Sequence, residues 1–345
     1  MSQKITIKDV AKHAGVGVGT VSRVINGADS VSPKMRKKIF ESIDALGYIP
    51  NHIAQSMRTQ KYKNIAFFAD ISNPIFAQIA KETQLELEQY GYTLSLCSIG
   101  DKDIANKILY FLEGRRFDGI ILSIPKEDDR EVNDLLTRIE IPIVTINRNI
   151  PNLPAGVLTD YYSSVKEAIS YLLALGHQNI ALVGGNKDIR PTREGTRAYR
   201  DAYINHNIDV NDEQIKNGNF TSKSGEEIFM DLLPDILNEK ITAILSLNNQ
   251  MFYGILRGMR KAKLQYPKDL SIITFEDNEV TQLLDPPLTV IHRPIGDMGR
   301  AIVRTLIKYI NTPELYGKLE PVVISTEFII RDSCRAIHNT NLYKS

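Results

Sequence analysis

Cysteine is scarce in this 345-residue chain: only Cys97 and Cys334 are present, in separate segments with no ligand spacing around either. That excludes a disulfide scaffold and a zinc site as organising features. No uninterrupted apolar run is long enough to span a bilayer, and the N-terminus has no apolar h-region. A membrane span and a secretory signal are therefore not expected, and a cytoplasmic location is. Catalytic signatures are missing as well: there is no nucleophile elbow, no P-loop, no glycine fingerprint for a dinucleotide and no metal-ligand cluster. The expectation is a non-enzymatic protein with no cofactor and no metal. His177, the most suggestive histidine, follows Leu175-Gly176 at a helix end, where a cation is stabilised by the helix dipole.

What is present is an uneven distribution of charge. The composition, 43% hydrophobic and 24% charged, is ordinary for a soluble globular chain long enough for two or three domains. Its net charge of +1 conceals nine Lys/Arg against four Asp/Glu in residues 1–60, and 33 against 37 in the remainder. The two parts separate as +5 and −4. A local positive field suits a polyanionic partner, whose binding falls steeply with salt.

That basic segment carries helix signals in close succession. Thr6 and Asp9 stand at the spacing that satisfies the free amides of a helix start, Val10, Ala11 and Ala14 recur at helical spacing, and Gly15 ends the pattern. A second helix follows almost at once, with Val21, Val24 and Ile25 facing inward and Val18, Gly19, Thr20, Ser22, Arg23 and Asn26 left for the other side. Two short helices joined by a glycine turn read as a helix-turn-helix whose second helix lies in the major groove. The alternative is a small helical hairpin inside a larger core. Ser32-Pro33 opens a third helix with the apolar stripe Met35, Ile39, Phe40, Ile43 and Leu46, closed by Gly47. Lys34, Arg36, Lys37 and Lys38 on its first turns oppose the helix dipole, so phosphate contact is the better reason for them than local stability; a solvated face is the other reading. Asn51 to Arg58 reads as a helix of two turns, marginal alone, that folds on meeting DNA and a partner copy and inserts Met57 as a minor-groove wedge. Met57 packing on a neighbouring domain is the alternative.

The runs Thr6-Ile7-Lys8-Asp9-Val10-Ala11, Thr20-Val21-Ser22-Arg23-Val24-Ile25-Asn26 and Gly47-Tyr48-Ile49-Pro50-Asn51 resemble the head of the LacI/GalR family of bacterial transcription regulators, and the likeness covers nearly the whole chain. It implies DNA contacts at Thr6, Gly17, Val18, Gly19, Thr20, Ser22, Arg23 and Asn26 in the head and at Asn51, Ile53, Ala54 and Met57 in the hinge. Gly17 stands where the family usually has serine, and Gly19 sits among the expected base-reading positions. Both thin the base-edge contacts, leaving Arg23, Val18 and DNA shape to carry specificity.

From residue 64 short apolar runs alternate with amphipathic segments, the pattern of a parallel α/β architecture. Strands are expected near Ile65-Ala69, Thr93-Cys97, Gly119-Leu122, Ile143-Ile146, Ile180-Val183, Gln214-Lys216, Ile241-Ser246 and Ser271-Phe275. Helices are expected to start near Tyr161, Thr192, Ser222, Asn248 and Pro294, the last after the chain crosses back to the first lobe. The expected fold is thus α/β: a three-helix helix-turn-helix head with hinge helix, then a two-lobed, periplasmic-binding-protein-like body of doubly wound parallel sheets. The expected boundaries are 1–49 for the head, 50–61 for the hinge, 62–161 plus 292–322 for the first lobe, 162–291 plus 323–335 for the second, and 336–345 for a tail.

Ligands of such sheets lie at the carboxyl ends of the strands. That rule and the resemblance together point to Asp70, Asn73, Phe76, Asn147, Arg148, Asp160, Phe220, Asn248, Glu276 and Arg293 as effector contacts. Asn73 serves equally as a helix cap, and Phe220 as either core or an aromatic face for a sugar ring. The chain departs from the family at Asn248-Asn249, where Asn-Asp is frequent, at Thr274-Phe275-Glu276-Asp277, where Gly-Phe-Asp-Asp is frequent, and at Gly195, where an arginine is usual. Arg193 or Arg197 is expected to take that arginine's place, making the cleft richer in cations than anions and pointing to a sugar acid or phosphosugar. The resemblance implies a homodimeric, nucleoid-associated repressor of a pseudo-palindromic operator, controlled by a sugar-like effector between the lobes. The alternative it allows is control by a phosphorylated carrier protein docking on the first lobe. The tail from Arg331 to Ser345 holds one leucine, Leu342, against the leucine heptad that ties some relatives into tetramers.

Overall fold

The computed structural model describes residues 5–25, 30–48, 61–113, 116–154 and 156–337. The chain divides into two units, Met1–Tyr62 and Lys63–Ser345.

In the first unit, α1 (Ile7–Ala14), α2 (Val18–Ile25) and α3 (Pro33–Leu46) surround a small core of Val10, Ala11, Ala14, Val21, Val24, Val31 and Ile39. The Thr6 amide and hydroxyl both donate to Asp9 Oδ2, at 2.8 and 2.7 Å, which holds the Asp9 carboxyl below its usual range. Gly15, at φ 65°, ends α1 in the left-handed region. The Gly17 carbonyl then accepts the Thr20 and Val21 amides, so α2 starts at the next residue, Val18, with little freedom in the turn. In α3 the Ser32 hydroxyl accepts the Met35 amide and Pro33 occupies the first turn. Phe40, expected in the apolar stripe, is instead 46% exposed. It follows Ile39 by one residue, and a step of about 100° carries it off the core face.

In the second unit, β1 (Asn64–Ala69), α4 (Pro74–Glu88), β2 (Thr93–Ser98), α5 (Ile104–Glu113), β3 (Gly119–Leu122), α6 (Arg130–Leu136) and β4 (Ile143–Thr145) build the first lobe. Its sheet is parallel in the order β2-β1-β3-β4. β1 and β3 are buried on both faces, which is why they read as continuous apolar runs rather than alternating ones. A crossing strand, β5 (Val157–Thr159), leads to the second lobe: α7 (Tyr161–Ala174), β6 (Ile180–Gly184), α8 (Arg190–Asn205), β7 (Ile215–Asn217), α9 (Ser222–Leu237), β8 (Ala243–Ser246), α10 (Asn249–Ala262), β9 (Ser271–Phe275), α11 (Glu279–Leu283) and β10 (Thr289–His292). The chain then returns. α12 (Ile295–Asn311) lays Met298, Ile302, Val303 and Leu306 into the first lobe's core beside Ile79 of α4, β11 (Val322–Ile324) pairs in parallel with β5, and β12 (Glu327–Ile329) closes the second sheet antiparallel to β10. The second sheet runs β12-β10-β9-β8-β6-β7.

Four strands fall outside the sequence expectation: β5, β10, β11 and β12. Each is three or four residues long, too short to show a period, and each is defined by a partner distant in the chain. No helix among the described residues is long and apolar enough to cross a membrane.

His177 corrects another expectation. It is fully buried rather than a dipole-stabilised cation, with Nε2 donating to the Arg335 carbonyl at 2.9 Å and the Thr242 hydroxyl donating to Nδ1 at 2.8 Å. Burial pushes its pKa down to about 4. In the unfolded chain it titrates near 6.5, so between pH 6.5 and 4 the unfolded state binds more protons and stability falls as pH falls. Lowering the pH from 7.5 to 5 should therefore remove roughly 2 kcal/mol through this residue alone. In thermal melts, His177→Gln should lose the corresponding part of the pH dependence while losing some stability at pH 7.5; an unchanged pH slope would contradict the assignment.

Candidate functional site

On α2 the residues away from the core make a compact, small-residue face. Gly17, Val18, Gly19 and Arg23 are exposed and Thr20 and Ser22 half-buried, opposite the buried Val21 and Val24. Val18 is 41% exposed, an apolar group offered to solvent at the start of the helix. Lys34, Lys37 and Lys38 are exposed on the early turns of α3. The Thr6 hydroxyl is committed to Asp9. Asn26, Asn51, Ile53, Ala54 and Met57 lie outside the described residues. Short side chains leave this face open to close approach, and the exposed Arg23 carries a guanidinium whose donor fork is of the kind that matches guanine. Replacing Arg23 by alanine should cost about 1–3 kcal/mol on a cognate site and relax preference at one base pair. Competition anisotropy against single-base variants of the site would check this, and a uniform loss across all variants would reduce Arg23 to a phosphate contact.

In the body a cavity of about 680 Å³ lies between the lobes, walled by segments that follow β1, β3, β4, β6, β7, β8 and β9. Nine of the expected effector residues line it: Asp70, Asn73, Phe76, Asn147, Arg148, Phe220, Asn248, Glu276 and Arg293. Asn73 and Asn248 are helix caps too, accepting the Ile75 and Met251 amides at 3.2 and 3.0 Å. Asn73 Oδ1 also accepts the Asn249 side-chain amide at 3.2 Å, a contact from one lobe to the other. Asn147 is buried at φ 53° and its side-chain oxygen accepts the Thr159 amide at 2.6 Å, tying β4 to the crossing strand. Phe220 belongs to none of the hydrophobic cores. Held at φ 63°, it lays its ring on Gly185, where a Cβ would come within 2.0 Å of the ring.

Two arginines dominate the electrostatics. Arg293 and Glu276 form a buried ion pair; burial works against the Arg293 charge, but Glu276 and Tyr161 beside it together more than offset this and raise its pKa. Arg148 is different. Its guanidinium donates to the Ile124 and Asn147 carbonyls, and among the described residues no carboxylate lies within ion-pair distance. Burial pushes it down to about 10, partly countered by Glu127, so it stays charged at neutral pH. A buried cation without a paired anion is costly unless a ligand completes it.

Three expected effector residues are not on this cavity. Asp160 caps α7, accepting the Ser163 amide at 2.9 Å. Arg193 turns to Glu127, and Arg197 pairs with Glu194 and lies 4.2 Å over the Tyr162 ring; both line a separate groove of about 570 Å³. The reason is helical phase. Only the first turn of α8, with Ile189 and Pro191, reaches the cavity, and neither 193 nor 197 reproduces the place of Gly195. The cavity's other cations, Lys102 and Lys126, were missed, as were Asn186 and Asn219. Applying the strand-end rule to every strand would have found all four: Asn186 and Asn219 lie two residues after β6 and β7, and Lys102 and Lys126 four residues after β2 and β3. No group of three or more metal-capable side chains occurs among the described residues.

A helix-turn-helix on the same chain as a two-lobed ligand-binding body defines a DNA-binding transcriptional regulator. Residues 6–51 match the model of bacterial regulatory proteins of the lacI family, and residues 169–334 that of a periplasmic binding protein-like domain. Catabolite control protein A of Priestia megaterium is 32% identical over 312 residues, 89% of this chain and 93% of that protein. The transcriptional regulator DegA of Bacillus subtilis (strain 168) is 31% identical over 96% of this chain and 98% of its own. Among solved structures, the regulator CelR in complex with cellobiose matches at TM-score 0.70 and 27% identity, covering 95% of this chain and 99% of that one. The lac repressor dimer bound to operator matches in fold at TM-score 0.81 and 24% identity, covering 97% and 100%. The chain belongs to the lacI family of bacterial regulatory proteins. Its relatives are transcriptional regulators, and it is not an enzyme.

Proposed function

We propose that this protein is a homodimeric repressor of a pseudo-palindromic operator, and that its DNA affinity is set by a sugar carrying an acid group, a sugar acid or phosphosugar, bound between the lobes. The observation that carries the effector class is Arg148, a buried guanidinium on the cavity wall with no carboxylate partner among the described residues. Lys102 and Lys126 on the same cavity stand against Asp70 and Asp101, and Arg293 is neutralised by Glu276, so Arg148 is the cation left over. Phe76 and Phe220 supply apolar faces suited to a sugar ring. The small-molecule complex of CelR and the operator complex of the lac repressor dimer support the general arrangement. In the head, Arg23 is the main base reader; Asn51, Ile53, Ala54 and Met57 are proposed as hinge contacts.

The mechanism is linkage. An effector that weakens operator binding tenfold is itself bound tenfold more weakly by the operator complex, about 1.4 kcal/mol of coupling. Calorimetry with D-glucuronate and D-glucose, a matched acid and neutral sugar, tests the class: preference for the acid is expected, and tight binding of the neutral sugar with none of the acid contradicts it. An operator titration with added phosphorylated carrier protein would expose the competing mode of control.

A further inference from the structure

Glu127 lies just outside the cavity, in the loop between β3 and α6, yet its side chain is only 5% exposed. Oε1 accepts two backbone amides, Asn149 at 3.0 Å from the first lobe and Arg190 at 2.9 Å from the second. Oε2 pairs with Arg193 at 2.9 Å. The loop is fixed in turn by Asn133, whose side-chain amide donates to the Glu127 carbonyl at 2.9 Å.

The Arg190 contact has a specific physical logic. Arg190 opens α8, and the residue before it, Ile189, has no side chain able to cap that helix. The acceptor comes from the opposite lobe. A carboxylate at a helix N-terminus satisfies a free amide and complements the dipole, and the Arg193 pair one turn on adds a charge-assisted contact.

The three segments that meet at Glu127 are also three walls of the cavity. Ile124 to Lys126 precede it, Asn147 and Arg148 precede Asn149, and Ile189 and Pro191 flank Arg190. We infer that Glu127 is the positioning residue that latches the two lobes and holds these walls in register around the ligand, so that cavity assembly and lobe closure are one event. This rests on the reading of the cavity as the effector site, but the latch itself is testable without a ligand.

The test is amide exchange on the full-length protein, read in the segments 146–150 and 186–193, for wild type, Glu127→Ala, Glu127→Gln and Arg193→Met. Glu127→Ala should speed exchange in both segments at least tenfold while segments within the β1 and β8 cores stay unchanged. Glu127→Gln keeps a carbonyl acceptor for the two amides but loses the ion pair, so it should resemble Arg193→Met and fall between wild type and Glu127→Ala. The D-glucuronate affinity should drop in the same order. Unchanged exchange at 186–193, or acceleration spread evenly through the body, would overturn the latch. If wild type fails to bind the probe while the local exchange pattern holds, the proposed ligand class fails and the latch stands.

Discussion

Gly254→Ala is expected to prevent the second lobe from folding at ordinary temperatures. α9 and α10 cross through two facing glycines: a Cβ on Gly254 would lie 2.0 Å from the Ser222 carbonyl oxygen, and one on Gly225 2.1 Å from the Met251 carbonyl oxygen. The obstacles are backbone atoms, so no rotamer change relieves them. The helices would have to separate, uncovering Phe229, Phe252 and Ile255 of the lobe's core. Overpacking that side chains can absorb costs about 1–3 kcal/mol, and this clash belongs at or above that limit. Against a typical total stability of about 5–15 kcal/mol, the body should melt far below wild type or be recovered insoluble. Thermal unfolding followed by circular dichroism reads this directly. A variant melting within a few degrees of wild type would mean the crossing is looser than described.

Arg148→Met should remove the preference for an acidic ligand and leave DNA binding in place. A hydrogen-bonded charge contact is worth about 1.5–3 kcal/mol, so D-glucuronate should bind roughly ten- to a hundredfold more weakly. Arg148→Lys keeps the charge without the fork that spans the Ile124 and Asn147 carbonyls, and an intermediate loss is expected. Because the head is a separate unit, ligand-free operator affinity should change little in either variant. Calorimetry and anisotropy on the same preparations check the two halves of this expectation. Undiminished glucuronate binding by Arg148→Met would assign the acid group to another cation.

Local signals made much of this architecture legible. The Thr6–Asp9 spacing, Gly15, Ser32-Pro33 and Gly47 mark helix ends because caps are short-range chemistry, and all four occupy cap positions in the structure. Two strands buried along their whole length were legible as largely apolar runs: Gly119–Leu122 and Ser271–Phe275 appear with the expected bounds. What escaped depends on distant partners. β11 exists only because β5 lies beside it, and His177 is neutral because the fold buries it, with Thr242 and Arg335, both distant in the chain, as its ring partners. The cavity's charge pattern escaped partly for the same reason. Arg193 and Arg197 carry the right charge in the right helix, but their direction is decided by helical phase and by Glu127, which lies 66 residues before Arg193 in the chain.

In the proposed function the head reads a dyad-symmetric sequence and a small molecule in the body controls it. Capture of fragmented genomic DNA by the purified full-length protein, followed by sequencing, tests the first and necessary half most directly. Enrichment of a single inverted-repeat site is predicted, with affinity that falls steeply between 50 and 200 mM salt, as expected on the order of magnitude for several phosphate contacts. Recovery of DNA with no shared dyad at any salt concentration would contradict the account.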